Sequence, residues 1–310
     1  MPHHLPEFET FERLAGLPAE QGGGNLIPLY RRLFSDALTP VLAYRRLVRP
    51  DQRMAPSFLL ESVIGGDRAG RDSYLGTQPM LELVARGCDM ELRDHHVAER
   101  SLTFVSEDPL SEMPRITQDL RLAKVEGLPD FTGGWVGFAA YDAVRYLERE
   151  KLSDPPRDDR GLPDLHFQLY NDVVAFDHVQ KSVLAITHVR VDEYASIKAA
   201  YEAGEAQLDA LVDRLVHAAS TPSDDPLELP PGHVDLAAPP PQLPESNMKA
   251  GGYQEAVRRC KQYIAVGDAF QIVPSQRFDV PTAADPFDIY RALRVVNPSP
   301  YMFYLQIDGG

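Results

Sequence analysis

The sequence predicts an α+β protein, an antiparallel β-sheet core flanked by helices, and three observations lead there. Short β-type runs (SFLLESVI, SYLGTQ, LELVA, MELRD) follow one another from Ser57 to Asp94, separated by Gly-rich or charged turns such as Ile64-Gly65-Gly66-Asp67. Two longer β-rich runs, Leu165 to Phe176 and Ser182 to Val191, flank Asp177-His178-Val179-Gln180-Lys181, which suits a hairpin by spacing and turn residues. Helix starts with a capping residue followed by Pro occur at Thr39-Pro40, Asp108-Pro109 and Asp285-Pro286, where the missing proline N–H costs nothing.

Residues 1–25 lack apolar periodicity and end in Gly22-Gly23-Gly24, so a loose arm is expected, with an ordered domain over 26–218. Within that domain the first capped helix runs to about Val48 and the second to about Leu122. Gly133 to Phe138 reads as a strand leading into Tyr141-Asp142 and a short helix, and Ala195 to Ala218 as one long helix. Residues 219–245 hold Pro222, Pro226, Pro230, Pro231, Pro239, Pro240, Pro241 and Pro244 and almost no periodic apolar residue, which describes a stiff linker. A second domain is expected over 246–310. Tyr253, Ala256, Val257, Cys260 and Ile264 share a helical face that stops at Gly267. Ala269 to Phe278 alternates like a strand, with Pro274 implying an edge or bulge. The third capped helix turns Ile289, Leu293 and Val296 toward a core, and Asn297-Pro298-Ser299-Pro300 leads into a strand from Tyr301 to Leu305. Helix, strand, helix, strand do not close a domain, so further elements are expected to complete it.

A chain of 310 residues accommodates about two domains at roughly 150 residues each. The formal net charge of −15 opposes phosphate backbones and anionic lipid, which argues against nucleic acid or a membrane surface as partner. No apolar run approaches the roughly 20 residues of a membrane helix. The start, MPHHLPEFETFERLAG, lacks the basic and apolar regions of an export signal, so a cytoplasmic protein is expected. Cys88 and Cys260, the only cysteines, are too few for a disulfide scaffold and read as buried small hydrophobes.

The sequence has no GxxxxGK[ST], no GxGxxG after a strand, no HExxH and no GxSxG, which removes the usual nucleotide, zinc-protease and esterase readings. Gly133-Gly134-Trp135-Val136-Gly137 lacks the lysine of a phosphate cradle and points instead to close backbone packing. His95-His96 and Asp177-His178 read as turn or surface residues rather than metal ligands, because neighbours on a strand face opposite ways. Leu59-Leu60-Glu61-Ser62 is more informative: a carboxylate and a hydroxyl stand side by side at the end of an apolar run. Glu61 suits an ammonium, and the Ser62 hydroxyl and N–H suit a carboxylate, so the pair fits a zwitterion. Taken alone, the tetrapeptide fits better a water-facing Glu61 and a turn-capping Ser62. Asn297 to Phe303 is complementary, with Pro298 and Pro300 stiffening the approach and Tyr301, Met302 and Phe303 offering an aromatic and sulfur-bearing wall. It too reads alone as an ordinary turn and core strand.

The stretches LLESVIGGDRAGRDSYLG, GGWVGFAAYDAVRYLE, LYNDVVAFDH, GDAFQIVPSQRF and DPFDIYRALRVVNPSPYMFYL together resemble component I of anthranilate synthase, a chorismate-utilising family. The resemblance runs from about residue 26 to residue 305. It implies that 26–218 is regulatory and that 246–310 opens an α/β chorismate-binding catalytic domain. It also implies conversion of chorismate and ammonia to anthranilate and pyruvate, dependent on Mg²⁺, with ammonia from a glutamine amidotransferase subunit (component II). In the family, the segments matching Glu61, Ser62, Asn297, Pro298, Pro300, Tyr301, Met302 and Phe303 form an L-tryptophan feedback site, which reverses the balance drawn from each segment alone. Some relatives carry a basic residue immediately before the position of Ser73. This chain has Asp72 there, leaving Arg71 or Arg68 to supply the charge. The family's catalytic residues and Mg²⁺ ligands lie beyond the point matching residue 310, so none is assigned here and the chain alone is expected to be inactive. The alternatives are aminodeoxychorismate synthase component I, of the folate pathway, and a noncatalytic tryptophan-binding module.

Overall fold

The computed structural model describes residues 4–34, 36–48, 54–62, 71–97, 100–148, 150–152, 154–155, 157–216, 234–239 and 242–307. Contacts divide the chain into two compact units, Met1–Pro231 with Asn297–Gly310, and Gly232–Val296. The segment expected as one piece over 246–310 is therefore split, because its last strand pairs inside the first unit.

In the first unit the strands are β1 (Leu26–Phe34), β2 (Ser57–Glu61), β3 (Asp72–Thr77), β4 (Leu81–Arg86), β5 (Asp89–Asp94), β6 (Leu102–Val105), β7 (Gly134–Ala139), β8 (Leu165–Tyr170), β9 (Asp172–Asp177), β10 (Ser182–Arg190) and β11 (Met302–Gln306). They form a six-stranded sheet, β1-β10-β9-β3-β2-β11, and a five-stranded sheet, β6-β5-β4-β8-β7. Every pairing in both is antiparallel, as the sequence predicts. The helices are α1 (Phe8–Gly16), α2 (Pro40–Leu47), α3 (Pro109–Ile116), α4 (Val144–Leu147) and α5 (Ile197–Val216).

Strand alternation assigns each face of the larger sheet a partner. On one face, α5 approaches so closely at Gly204 that an added Cβ would meet Val189 and Leu29 side chains at 2.3 and 2.6 Å. The α2 residue Tyr44 lies on the same face, its ring 5.6 Å from Tyr304 and its hydroxyl 2.7 Å from the Ser57 hydroxyl. The opposite face packs onto the smaller sheet through Phe58, whose ring lies 4.7 Å from that of Tyr170, with Val136 and Val173 in the same cluster. The outer face of the smaller sheet buries Leu83, Ala85, Met90 and Leu165 against Leu110, Met113 and Ile116 of α3 and Tyr146 of α4. The unit is thus layered as helices, large sheet, small sheet, helices, with its core between the sheets.

Several expectations are corrected. The loose arm contains α1, which buries Phe11 and Leu14, and both Phe8 and Phe11 meet the Tyr201 ring of α5 edge-on. The β-rich run from Leu165 to Phe176 breaks at Asn171 and serves both sheets. Helix α3 stops at Ile116, short of Leu122. Pro114 removes a helical donor there, and the Thr117 hydroxyl turns back to the Met113 carbonyl at 2.9 Å. Cys88 and Cys260 are half-buried and in no disulfide, rather than core residues. The turn at Ile64-Gly65-Gly66-Asp67 and most of the Pro-rich linker lie outside the described residues.

The second unit holds α6 (Gly252–Val266), stopped by left-handed Gly267, and α7 (Pro286–Val296), where the Asp285 carboxylate accepts from the Phe287 N–H at 2.8 Å. Ala269 to Phe278 is not a strand. It makes only a bridge between Phe278 and Ser246, since Pro274 interrupts the donor row and no neighbouring strand is described in the unit. Ile289, Leu293 and Val296 are exposed instead of facing a core, because no described element of the unit covers that side of α7. Among the described residues no helix is long and apolar enough to cross a membrane.

Candidate functional site

The two segments singled out in the sequence meet as neighbouring strands. β11 pairs with β2 so that Met302 stands opposite Glu61 and Phe303 opposite Leu60. Directly opposed residues project to the same face, so Glu61 and Met302 share one side of the sheet, and both are buried at 5% and 7% exposure. Phe303 projects to the other side and is two-thirds exposed, at 67%. Asn297, Pro298, Pro300 and Tyr301 lie in the exposed approach to β11. Among the described residues no hydrogen bond joins any of these four to the end of β2. The structure therefore brings together Glu61, Ser62, Met302 and, across the sheet, Phe303.

The end of β2 is tied down by residues the motif search passed over. The Ser62 N–H donates to the hydroxyl of Ser73, on β3, at 3.4 Å, so this donor is committed inside the protein. The Ser62 hydroxyl has no partner among the described residues and remains the group that can meet a ligand. Ser73 is fully buried, and its Oγ lies 2.8 Å from Nε2 of His178, which follows β9 directly. His178 stacks on Phe176 with ring centroids 6.4 Å apart, and its N–H donates to the Arg71 carbonyl at 2.8 Å.

The charges nearby are largely paired with one another. Arg71, expected as a charge donor to the site, is held by Asp177 at 2.8 Å; Arg68 lies outside the described residues. Burial, and then the charge of Asp177, push the Asp72 carboxyl above its usual range, with Arg71 opposing. Burial, and then Lys181, hold His178 below its ordinary value, while Glu61, Asp72 and Asp177 pull the other way. Asp177 is pushed up by burial but ends low, because the Gln180 N–H and Arg71 stabilise its charge. A neutral imidazole and a buried carboxylate beside an apolar strand can bind an amphiphilic cation or zwitterion. The Ser73 hydroxyl against His178 is fully buried, out of reach of a substrate for nucleophilic attack.

The other histidine motif is as the sequence predicts, His95 and His96 lying exposed in the bend after β5. From there His95 reaches to within 3.5 Å of buried Glu82. The glycine-dense run packs backbone on backbone, an added Cβ at Gly137 falling 2.0 Å from the His166 carbonyl oxygen. A metal dependence finds no fitting ligand set here: among the described residues no group of three or more His, Cys, Asp or Glu could hold a metal ion.

Comparisons with known proteins bear on this site. A profile described as chorismate binding enzyme matches residues 60–310. The chain is 50% identical over 295 residues to anthranilate synthase alpha subunit 1, chloroplastic, of Oryza sativa subsp. indica, covering 93% of this chain and 50% of that protein. It is 46% identical over 294 residues to the alpha subunit 2, chloroplastic, of Arabidopsis thaliana, covering 92% and 46%. The crystal structure of anthranilate synthase component I from Streptococcus pneumoniae TIGR4 superposes with a TM-score of 0.54 at 26% identity, over 86% of this chain and 53% of that one. The chain thus spans about half the length of the curated relatives it matches. The chloroplastic names of the plant relatives overturn the expectation of a cytoplasmic protein.

Proposed function

This chain belongs to the chorismate-binding enzyme family, and from that premise we propose that it serves in an anthranilate synthase component I, with L-tryptophan held as feedback effector at Glu61, Ser62 and Met302. The register that sets Met302 opposite Glu61 supports this reading above all, because it joins a polar and an apolar recognition element separated widely in sequence. Glu61 receives the ammonium, the Ser62 hydroxyl the carboxylate, and Met302 the indole face. Asn297, Pro298, Pro300 and Tyr301 form the approach, and Phe303 backs the site from the other face of β11. The reaction served is chorismate and ammonia to anthranilate and pyruvate, with glutamine amidotransferase component II supplying the ammonia and a Mg²⁺ held outside the residues described above. Inhibition follows if tryptophan binds more tightly to the arrangement with lower activity, since an effector shifts an equilibrium only by its differential affinity.

Two outcomes test this. Calorimetry should detect L-tryptophan binding, and in the complete enzyme Ser62→Phe or Met302→Thr should raise the inhibition constant about 10-fold or more, the loss of one good contact. Inhibition unchanged by both substitutions would remove the assignment. The 310-residue chain alone, given chorismate, ammonia and Mg²⁺, should form no anthranilate by fluorescence. Turnover would show that its catalytic groups lie within these residues.

A further inference from the structure

We propose that Ser73 and His178 are positioning residues of this effector site: through a hydrogen-bond relay they fix the Ser62 main chain and so orient the grip formed by Glu61 and Ser62. The proposal rests on the tryptophan reading and deepens it.

The direction of the relay follows from its members. A backbone N–H can only donate, so Ser73 Oγ accepts from Ser62. The same hydroxyl then has its own proton to place, and Nε2 of His178 stands 2.8 Å away. Nε2 accepts that proton only as neutral imidazole. Burial favours the neutral form, and stacking on Phe176 with the backbone bond to Arg71 fixes the ring's place. With the imidazole proton on Nδ1, the tautomer that gives the Ser73 O–H an acceptor, the polarity is Ser62 N–H to Ser73 O–H to His178. Protonation of His178 turns Nε2 into a donor, and the fully buried Ser73 hydroxyl, whose oxygen can accept from both neighbours, then has no acceptor for its own proton among the described residues. The tie is thereby weakened at the point where Ser62 must present its hydroxyl.

The charged groups around the imidazole come from each element beside it: Glu61 from β2, Asp72 from β3, Asp177 from β9 and Lys181 from the following turn, with Arg71 occupied by Asp177. The three carboxylates favour the cation, and burial and Lys181 oppose it. Tryptophan affinity should accordingly be flat above the ordinary histidine value of 6.5 and fall as pH drops below it through the depressed value of His178.

The test combines calorimetry with L-tryptophan and amide hydrogen exchange at Ser62 in the ligand-free chain. The wild type is compared with Ser73→Ala, Ser73→Thr and His178→Phe. Ser73→Ala and His178→Phe should weaken binding about 3- to 10-fold, the range for one net hydrogen bond, and accelerate Ser62 exchange. Ser73→Thr keeps the hydroxyl and should restore both, and His178→Phe should abolish the acid fall in affinity. Wild-type affinity, pH profile and Ser62 exchange in both Ser73→Ala and His178→Phe would overturn the relay. No tryptophan heat from the wild type would overturn the effector reading and the positioning role with it. In that case exchange at Ser62 still reports separately whether the hydrogen-bonded tie exists.

Discussion

Replacing Glu82 with Ala should lower stability by about 3–5 kcal/mol, the scale for removing one partner of a buried charge network, read as a shift of the urea midpoint. Glu82 is fully buried on β4 and binds His166 at 2.5 Å and Arg93 at 3.2 Å, with Gln168 at 3.4 Å. The alanine variant leaves the buried His166 and Gln168 side chains short of an acceptor and deprives Arg93 of one of its two carboxylates. Glu82→Gln retains an acceptor and should cost less. A double-mutant cycle with His166→Leu should show coupling, and additive losses would refute the network. The acid dependence has a definite sign. Burial raises the Glu82 carboxyl, but His166, Gln168 and Arg93 outweigh it and bring the folded value below the ordinary 4.5. Its stabilising contribution is complete above pH 4.5 and is lost as pH falls from there through the folded value. The Glu82→Gln variant should lose that part of the acid slope.

Gly137→Ala should be the most damaging of the conservative changes in the small sheet. The new Cβ would lie 2.0 Å from the His166 carbonyl oxygen and 2.6 Å from the Phe167 Cα. Both are backbone atoms, so no rotamer relieves the overlap. β7 must draw away from β8 exactly where Gly137 pairs with Phe167. Overpacking typically costs about 1–3 kcal/mol, and the upper end is expected where backbone is struck. Amide exchange should quicken along β7 and β8 and leave the six-stranded sheet protected. Unchanged exchange there would mean that the strands yield without cost.

The antiparallel sheets were legible because period-two alternation and turn residues are local signals. The capped start at Thr39 was legible for the same reason, its hydroxyl accepting from the Leu42 N–H at 3.2 Å. The break at Asn171 was not. Leu165 to Phe176 reads as one β-rich run, and what divides it is a pair of long-range bonds: the Asn171 side chain donates to the His188 carbonyl at 2.6 Å, and His188 Nδ1 donates to the Asn171 carbonyl at 2.7 Å. Half of the candidate site was legible in the same sense. Glu61, Ser62 and Met302 carry recognisable chemistry, but their register depends on a pairing that no local pattern encodes. Ser73 and His178 stand 105 residues apart and meet only because β3 pairs with β9.

The pairing of β11 with β2 also sets an order of events during synthesis. Met302 follows its partner Glu61 by 241 residues (302 − 61). At the ribosome's pace of about 5–20 residues per second, a nascent chain waits roughly 12–48 s between the two. Throughout that interval the outer edge of β2 is an open ladder of donors and acceptors, a template for any passing strand. Soluble yield should therefore depend on how quickly translation delivers β11, and a pause before it should direct the emerging protein toward chaperones or aggregates.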